Sequence, residues 1–118
     1  MMLEPHYIVG FVDGEGTFNI IKYPNNRRRP QMLVFNTNRE ILESIKNTLS
    51  IDAPIFEASR VNDGIKRTKI CYRLQIRSKK DLLNVVNFFD KNLPIIKIRD
   101  YNNFRVCFVR WLEHKNKF

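Results

Sequence analysis

The sequence predicts an α+β fold with a four-stranded antiparallel sheet. The chain has 118 residues, the usual size of one domain with one core. Four segments have the composition and the bounding turns of strands, and four others have helical spacing or helix caps. These segments follow the order helix, hairpin, helix, hairpin, helix, helix. We therefore interpret residues 1–118 as one domain.

The first half of the chain contains a predicted helix, a hairpin and a second helix. Pro5 favours a helix start, and the helix is predicted to run to about Asp13, where glycines end it. Residues 17–23 and 31–37 are predicted strands joined by the polar, basic loop "YPNNRRRP". From Arg39 to Leu49 the apolar residues fall at helical spacing, which predicts the second helix.

The second half repeats this arrangement and adds a final helix. Residues 54–62 and 67–77 are predicted strands around "NDG", a tight-turn signal. Ser78, followed three residues later by Asp81, resembles a capping box that opens the third helix. Asp100 is predicted to cap the last helix.

The charge of the chain indicates a polyanionic partner. Lys and Arg number 21 against 12 Asp and Glu, a formal net charge of +9. Nucleic acid is the first candidate and an acidic membrane surface the second. No stretch approaches the roughly 18 apolar residues of a membrane span, and no secretory leader is expected. A basic protein without chemistry remains an alternative at this level.

The predicted strand 67–77 carries a basic stripe. Strand side chains alternate between faces, and here the even positions from Ile70 to Ile76 are apolar. The odd positions carry four cations, a glutamine and a cysteine, without an acid. A solvated outer face is the alternative, but such a face normally mixes charges of both signs. The strand therefore predicts one face packed on helices and one facing a polyanion.

Basic residues in the neighbouring strands and turns extend this stripe. A two-stranded ribbon or curved sheet fits the DNA major groove, where Arg or Lys pairs with guanine and Asn or Gln with adenine. Many of the cations are expected to contact phosphates. The predicted DNA-binding residues are Asn19, Lys22, Arg27, Arg28, Arg29, Gln31, Arg60, Lys66, Arg67, Lys69, Arg73, Gln75 and Arg77.

The stretch "IVGFVDGEG", residues 8–16, predicts a close helix contact. Tyr7, Gly10 and Gly14 fall on the side of the first helix opposite its apolar face. Small residues four apart allow another helix to approach to backbone contact. Packing within the chain is one alternative, and a two-fold contact between identical helices is the other. The predicted dimer-interface residues are Tyr7, Gly10, Asp13 and Gly14.

A two-fold contact would also explain the acid at the end of this stretch. The two copies of Glu15 would lie close together near the axis, and two uncompensated carboxylates repel. Carboxylates and backbone carbonyls are ligands of Mg²⁺, which also binds phosphate oxygens and water. The expected cofactor is therefore Mg²⁺ or another divalent cation, which activates water for attack on a phosphodiester.

The same stretch resembles the signature of the LAGLIDADG homing endonucleases. "LEPHYIVGFVDGEGTF" is similar to the family's first helix and strand, "VFNTNREILESIKNTL" to its second strand and helix, and "KKDLLNVVNFFDKNLPIIKIRDYNNF" to its later helices. The resemblance implies an αββαββα core whose curved antiparallel sheet forms a DNA-binding saddle. One copy of the signature implies the single-motif, homodimeric type.

The resemblance also implies site residues. Glu15 matches the family's metal-binding acid, and the carbonyl of Gly14 would join it on the metal. Lys97, with Arg99 as an alternative, matches a basic residue beside the scissile phosphate. Asn38 matches a position that orders active-site water. The catalytic set implied is therefore Glu15, Lys97 and Asn38.

A further carboxylate, Asp13, matches the first acid of the signature. The resemblance implies a mainly structural role for it at the helix end.

The function implied is cleavage of both strands of a long, near-palindromic DNA site by a homodimer. Three alternatives remain open: one half of a split heterodimeric endonuclease, a maturase that binds intron RNA, and a catalytically silent DNA-binding relative. From the residues alone, a glycosidase using Asp13 and Glu15 is a further alternative, although the basic stripe would then have no role.

The composition suggests where the gene resides. Asn, Ile and Lys are abundant and Ala is rare. AT-rich codons encode the abundant residues, so we expect an organellar gene, with a mitochondrial or chloroplast location, or otherwise a cytoplasmic one.

Overall fold

The structure, a computed structural model, describes residues 2–62 and 68–113. The predicted order of elements is confirmed, and the fold is α+β. The elements are α1 (Pro5–Glu15), β1 (Gly16–Lys22), β2 (Arg28–Asn36), α2 (Arg39–Leu49), β3 (Ile55–Asn62), β4 (Thr68–Ile76), α3 (Lys79–Lys91) and α4 (Ile98–Glu113).

The four strands form one antiparallel sheet in the order β1-β2-β4-β3. Gly16 of β1 pairs with Val34 of β2, and Met32 of β2 pairs with Ile76 of β4. Helix α4 packs on β1 and β2, and α2 packs on β2 and β4. The sheet therefore has one face covered by helices and one open face.

The core lies between the sheet and the helices. Its aromatic centre is Phe18 of β1, whose ring makes edge contacts with Phe89, Tyr101 and Phe104 at centroid distances of 5.3, 5.2 and 5.1 Å. Edge-to-face pairs of buried rings stabilise by roughly 0.5–1.5 kcal/mol each beyond their buried area. This cluster fixes α3 and α4 against the strand that follows α1.

Helix α1 is two residues longer than predicted. It continues through Gly14 to Glu15, and β1 begins at the next residue without a loop. Gly16 allows this passage: a Cβ there would lie 2.8 Å from Cγ1 of Val12 and 3.1 Å from its carbonyl oxygen. Glu15 is consequently placed at the start of a sheet strand rather than in a loop.

Strand β2 begins at Arg28, so the predicted loop 23–30 is shorter than expected. Asn25 and Asn26 adopt φ angles of 67° and 60°, which reverse the chain in a 3₁₀ turn at Pro24–Asn26. Asn tolerates the left-handed region better than other non-glycine residues. Pro30 is accommodated because β4 pairs with β2 only at positions 32–36, so the strand has a free side at residue 30.

The predicted caps are partly confirmed. Helix α2 has the predicted bounds, and Ser78 Oγ accepts a hydrogen bond from the Asp81 amide (3.1 Å) at the start of α3. Helix α4 begins at Ile98, so Asp100 lies in its first turn instead of capping it. The last two residues of the predicted "NDG" turn, 63 and 64, lie outside the described ranges. Within residues 2–62 and 68–113, no helix has the length and apolarity to cross a membrane.

Candidate functional site

The open face of the sheet carries the predicted basic stripe. Residues with odd numbers in β1, β2 and β4 share this face. The even-numbered residues point to the other face, where Phe18, Met32 and Leu74 are buried under the helices. No acid is among the described side chains of these odd positions. They include Asn19, Gln31, Leu33, Phe35, Lys69, Cys71, Arg73 and Gln75, with Arg77 directly after β4.

Arg73 lies near the middle of the open face. It pairs across the sheet with Phe35 on one side and Phe56 on the other. Its guanidinium lies 5.1 Å from the centroid of the Phe56 ring, and its Nε is buried without a hydrogen-bond partner in the described structure. A buried donor without a partner costs about 1–3 kcal/mol. Because Nε is enclosed by the protein, an external acceptor such as a phosphate oxygen or a base edge would have to meet the terminal nitrogens of this half-buried side chain.

Gln31 is less available than the sequence suggested. Its side chain is buried, and its Oε1 accepts a hydrogen bond from Nε of Arg77 at 3.0 Å. This contact positions the Arg77 guanidinium and leaves the Gln31 amide nitrogen as the remaining donor.

Three predicted DNA-binding residues are not placed with the stripe. Lys22 and Arg28 pair with each other at the far end of the hairpin. Both have even numbers, so they belong to the helix-covered face of the sheet. Arg29 has open-face parity, but its guanidinium lies 4.7 Å from the ring centroid of Trp111 in α4. On the β4 side of β2 the pairing stops at Met32, so no β4 residue lies beside Arg29 on the open face.

The other predicted DNA contacts fall in turns or outside the described side chains. Arg27 is exposed in the turn before β2. Lys66, Arg67 and the side chain of Arg60 lie outside the described part.

Asp13 ties the end of α1 to the segment that leads into α4. Its side chain is only 8% exposed. Oδ2 accepts a hydrogen bond from the amide of Ile95 (3.0 Å), and Oδ1 accepts one from the amide of Lys97 (3.1 Å). Both carboxylate oxygens are therefore used within the subunit, in agreement with the structural role implied for Asp13, and little of this side chain is left for a partner.

The same contacts set the charge state of Asp13. Burial acts to raise the pKa of the carboxyl, but hydrogen bonds from the amides of residues 95, 97 and 96 and the charge of Lys97 outweigh it. The pKa of Asp13 therefore lies below its ordinary value, and the group is ionised at neutral pH.

Asp13→Asn is expected to lower the free energy of unfolding by about 1–3 kcal/mol at neutral pH, because it removes the charged acceptor of the Ile95 and Lys97 amides. Since the folded pKa is depressed, this stabilisation is present above the unfolded pKa of about 3.9 and is lost as the pH falls through the folded pKa. Urea unfolding of wild type and variant at several pH values measures the difference. A difference that stayed constant down to low pH would contradict this assignment.

Lys97 lies at the C-terminal end of α1. Its Nζ donates to the carbonyl oxygens of Asp13 at 2.8 Å and Val12 at 3.2 Å. A cation here also complements the partial negative charge of the helix end. Arg99, two residues later, is exposed and forms no hydrogen bond or salt bridge within the described residues.

Glu15 and Gly14 form the exposed part of this helix end. Both are exposed, and the last carbonyls of a helix have no partner within the helix. The carboxylate of Glu15 and the carbonyl of Gly14 are hard oxygen donors, the ligand type that Mg²⁺ and Ca²⁺ prefer. These residues fit the open coordination of a divalent cation whose other ligands come from water, phosphate or a second chain. Among the described residues of one chain, no group of three or more His, Cys, Asp or Glu could hold a metal.

Asn38 performs a structural task in the described chain. Its Oδ1 accepts a hydrogen bond from the Glu40 amide (2.9 Å) and so caps α2. It follows β2 at the end where Val34 pairs with Gly16, so it belongs to the same end of the sheet as Glu15. Its side-chain amide nitrogen forms no hydrogen bond among the described residues and could still order a water molecule.

The outer side of α1 carries Tyr7, which is 46% exposed, and has no side-chain bulk at Gly10 and Gly14. A Cβ added at Gly10 or Gly14 would have no atom within 4 Å. The packing of the subunit therefore gives no reason for glycine at either position. Next to them, Ile95 and Ile96 are 79% and 77% exposed, and the Ile95 amide is bound to Asp13. Neither isoleucine is among the predicted interface residues, although both are apolar residues of the stretch "PIIK".

Comparison with known proteins identifies the family. The sequence profile of the LAGLIDADG endonucleases matches residues 8–108. The chain belongs to the LAGLIDADG endonuclease family. The matched range begins in α1 and ends in α4, so it includes the exposed helix end, the open sheet face and the segment that carries Lys97.

Solved structures of LAGLIDADG homing endonucleases share the fold. An archaeal intron-encoded homing endonuclease, I-Vdi141I, in complex with DNA has a TM-score of 0.76 at 26% identity, over 97% of this chain and 72% of that chain. The homing endonuclease I-TnaI has a TM-score of 0.72 at 24% identity, over 92% of this chain and 74% of that chain. I-GzeII, a LAGLIDADG homing endonuclease in complex with its DNA target, gives 0.72 at 24% identity, over 94% of this chain and 37% of that chain. No curated protein matches at a significant level.

Proposed function

We propose that this LAGLIDADG protein is a sequence-specific, metal-dependent endonuclease that cuts both strands of DNA as a homodimer. One observation carries the proposal: the exposed carboxylate of Glu15 immediately precedes Gly16, the first residue of β1. The acid is thus held at the edge of a basic open face suited to a DNA duplex. Each subunit would cut one strand of a near-palindromic site.

The residues at this edge have complementary tasks. Glu15 and the Gly14 carbonyl would hold a divalent cation, which supplies activation of water and charge stabilisation at the phosphate. Lys97 neutralises the carbonyl end of α1 and so holds the last turn in place. Arg99, exposed in the first turn of α4, is the cation available to the scissile phosphate.

A second copy of the chain is the proposed partner of α1. Gly10 and Gly14 offer backbone without side-chain bulk, and the exposed Ile95 and Ile96 extend this surface with apolar area. A two-fold axis through such a surface would bring two copies of Glu15 together. Most interfaces bury apolar side chains at their centre, which Ile95 and Ile96 would provide.

DNA recognition is assigned to the open face, with Arg73 at its centre. Arg73→Ala is expected to lower DNA affinity about tenfold to a hundredfold, because an Arg that reads a base edge contributes about 1–3 kcal/mol. Fluorescence anisotropy with labelled target duplex measures the effect.

Arg73→Lys separates two roles for this residue. If Arg73 reads a base, the lysine variant loses most of the specificity, because it lacks the planar fork; if it contacts a phosphate, affinity is largely retained. Full affinity in both Arg73→Ala and Arg73→Lys would contradict the assignment of the open face.

The proposed function is tested by selecting cleaved sequences from a random duplex library with purified protein. We expect cleavage of both strands at a near-palindromic site in Mg²⁺, complete loss with EDTA and recovery when Mg²⁺ is restored. Binding of duplex without cleavage under any divalent cation would instead indicate a silent relative. An organellar location of the gene is proposed from its composition and an intron location from the signature resemblance. The joined-exon sequence is then the first target to try.

A further inference from the structure

Two large apolar side chains, Leu33 and Phe35, lie on the open face of the inner strand β2. Their odd numbers place them away from the helices, and both are half-buried. In the described structure neither belongs to the hydrophobic core or to the side chains packed against it. We call these two residues the β2 apolar pair. The packing of the subunit therefore gives no reason for their size.

Each member of the β2 apolar pair has a hydrogen-bonding side chain beside it on β4. Leu33 pairs with Gln75, and Phe35 pairs with Arg73. The Arg73 guanidinium lies over the ring of Phe56, on the far side of β4, rather than over the Phe35 ring. Residues opposite each other on antiparallel strands have Cβ atoms about 4.5–5.5 Å apart. One apolar and one hydrogen-bonding side chain can therefore contact the same base pair.

The duplex proposed for this face has one apolar group to offer at its base edges. In the major groove the bases present hydrogen-bond donors and acceptors, and thymine adds a methyl group at C5. A polar base edge placed against an apolar side chain would lose water without gaining a hydrogen bond, which costs free energy. The thymine methyl group avoids this cost.

The β2 apolar pair lies near the proposed cleavage centre. Leu33 pairs with Thr17 of β1, which follows Glu15 by two residues. At about 3.3 Å per residue and about 4.8 Å between strands, the backbones of Leu33 and Glu15 are roughly 10 Å apart. The bases that the pair contacts should therefore fall in the part of each half-site nearest the cut.

We propose that Leu33 and Phe35 recognise thymines of the DNA site through their 5-methyl groups. This inference rests on the proposed function, because it needs a duplex on the open face. It assigns base specificity to two apolar residues, whereas the DNA-binding residues predicted from the sequence are all cations or amides. The site cut by this protein would then require thymine at the base pairs under β2.

Replacement of thymine by deoxyuridine tests the proposal, because deoxyuridine lacks only the methyl group. Each thymine of the selected target is replaced in turn, and fluorescence anisotropy in EDTA measures binding to the full chain. We expect affinity to fall about fourfold at thymines near the cut, the effect of one buried methyl group, and to stay unchanged at outer thymines. Unchanged affinity at every position, a loss confined to outer thymines, equal loss at inner and outer thymines, or a selected site without thymine near the cut would overturn the proposal.

Variants connect the effect to the β2 apolar pair. Leu33→Ala and Phe35→Ala should each bind the thymine and deoxyuridine duplexes equally at the position that the missing side chain contacts. Asn19→Ala is the matched control, because Asn19 is a polar residue on the same face of the neighbouring strand β1. It should keep the fourfold ratio whatever its own affinity. A fourfold ratio that persisted in both alanine variants of the pair would overturn the assignment, and the wild-type comparison needs no variant to fold.

Failure of this inference is distinguishable from failure of the proposed function. Equal binding of thymine and deoxyuridine duplexes by a protein that cleaves its target would refute the methyl contact and leave the nuclease intact. Absence of any duplex binding would refute the proposed function, and this inference with it.

Discussion

Replacing Glu15 with glutamine is expected to lower DNA cleavage by on the order of a thousandfold or more while DNA binding is retained. Such a loss corresponds to about 4 kcal/mol of transition-state stabilisation. Glutamine keeps the size of the side chain but removes the charge that would hold a divalent cation. Glu15 is exposed at the end of α1 and has no hydrogen-bond partner within the described residues, so the fold should not depend on it.

The comparison with Asp13 makes this result specific. Asp13→Asn removes a charge two residues away, but that carboxylate is buried and bound to the amides of Ile95 and Lys97. Asp13→Asn should mainly lower the stability of the subunit. Any loss of cleavage should follow from a displaced end of α1. A Glu15→Gln protein that cut at the wild-type rate would reject Glu15 as the catalytic acid.

Replacing Gly10 with leucine is expected to weaken dimerisation about a hundredfold without unfolding the subunit. A Cβ at this position meets no atom of its own chain within 4 Å, and alanine in a helix is about 1 kcal/mol more favourable than glycine. In the proposed two-fold contact, however, the added side chain would separate two helix backbones. Overpacking of about 3 kcal/mol would raise the dimer dissociation constant about a hundredfold.

Sedimentation velocity measures the assembly state, and urea unfolding measures the subunit. Asn87→Leu, at an exposed position of α3, is the matched control for added apolar surface. Gly10→Ala should give an intermediate weakening of the dimer with a subunit at least as stable as wild type. Unchanged association of Gly10→Leu would show that α1 is not the contact.

Local patterns predicted the order of elements and much of the site. The apolar spacing of residues 39–49 gave the bounds of α2, and the alternation of β4 separated the buried Leu74 and Ile76 from the basic face. Both predictions depend on the spacing of apolar residues within one element, which can be read directly from the sequence. The position of Glu15 beside β1 followed from the signature resemblance as well.

Long-range contacts determined what the sequence could not show. The end of α1 is set by Asp13 and Lys97, which are 84 residues apart. Gln31 is buried and accepts a hydrogen bond from Arg77, 46 residues away. The helix-side placement of Arg28 follows from the early start of β2, which depends on left-handed Asn25 and Asn26 rather than on strand propensity.

In the proposed function, two subunits each supply one Glu15 to one DNA site. Mixed dimers of one wild-type and one Glu15→Gln subunit test this most directly. The two subunits carry different tags, the dimer is purified through both tags, and its substrate is a supercoiled plasmid that contains the DNA site selected from the library. We expect that wild-type dimers linearise the plasmid, that mixed dimers only nick it, and that variant dimers bind without cutting. Linearisation by mixed dimers, or cleavage by a protein that stays monomeric on DNA, would contradict it.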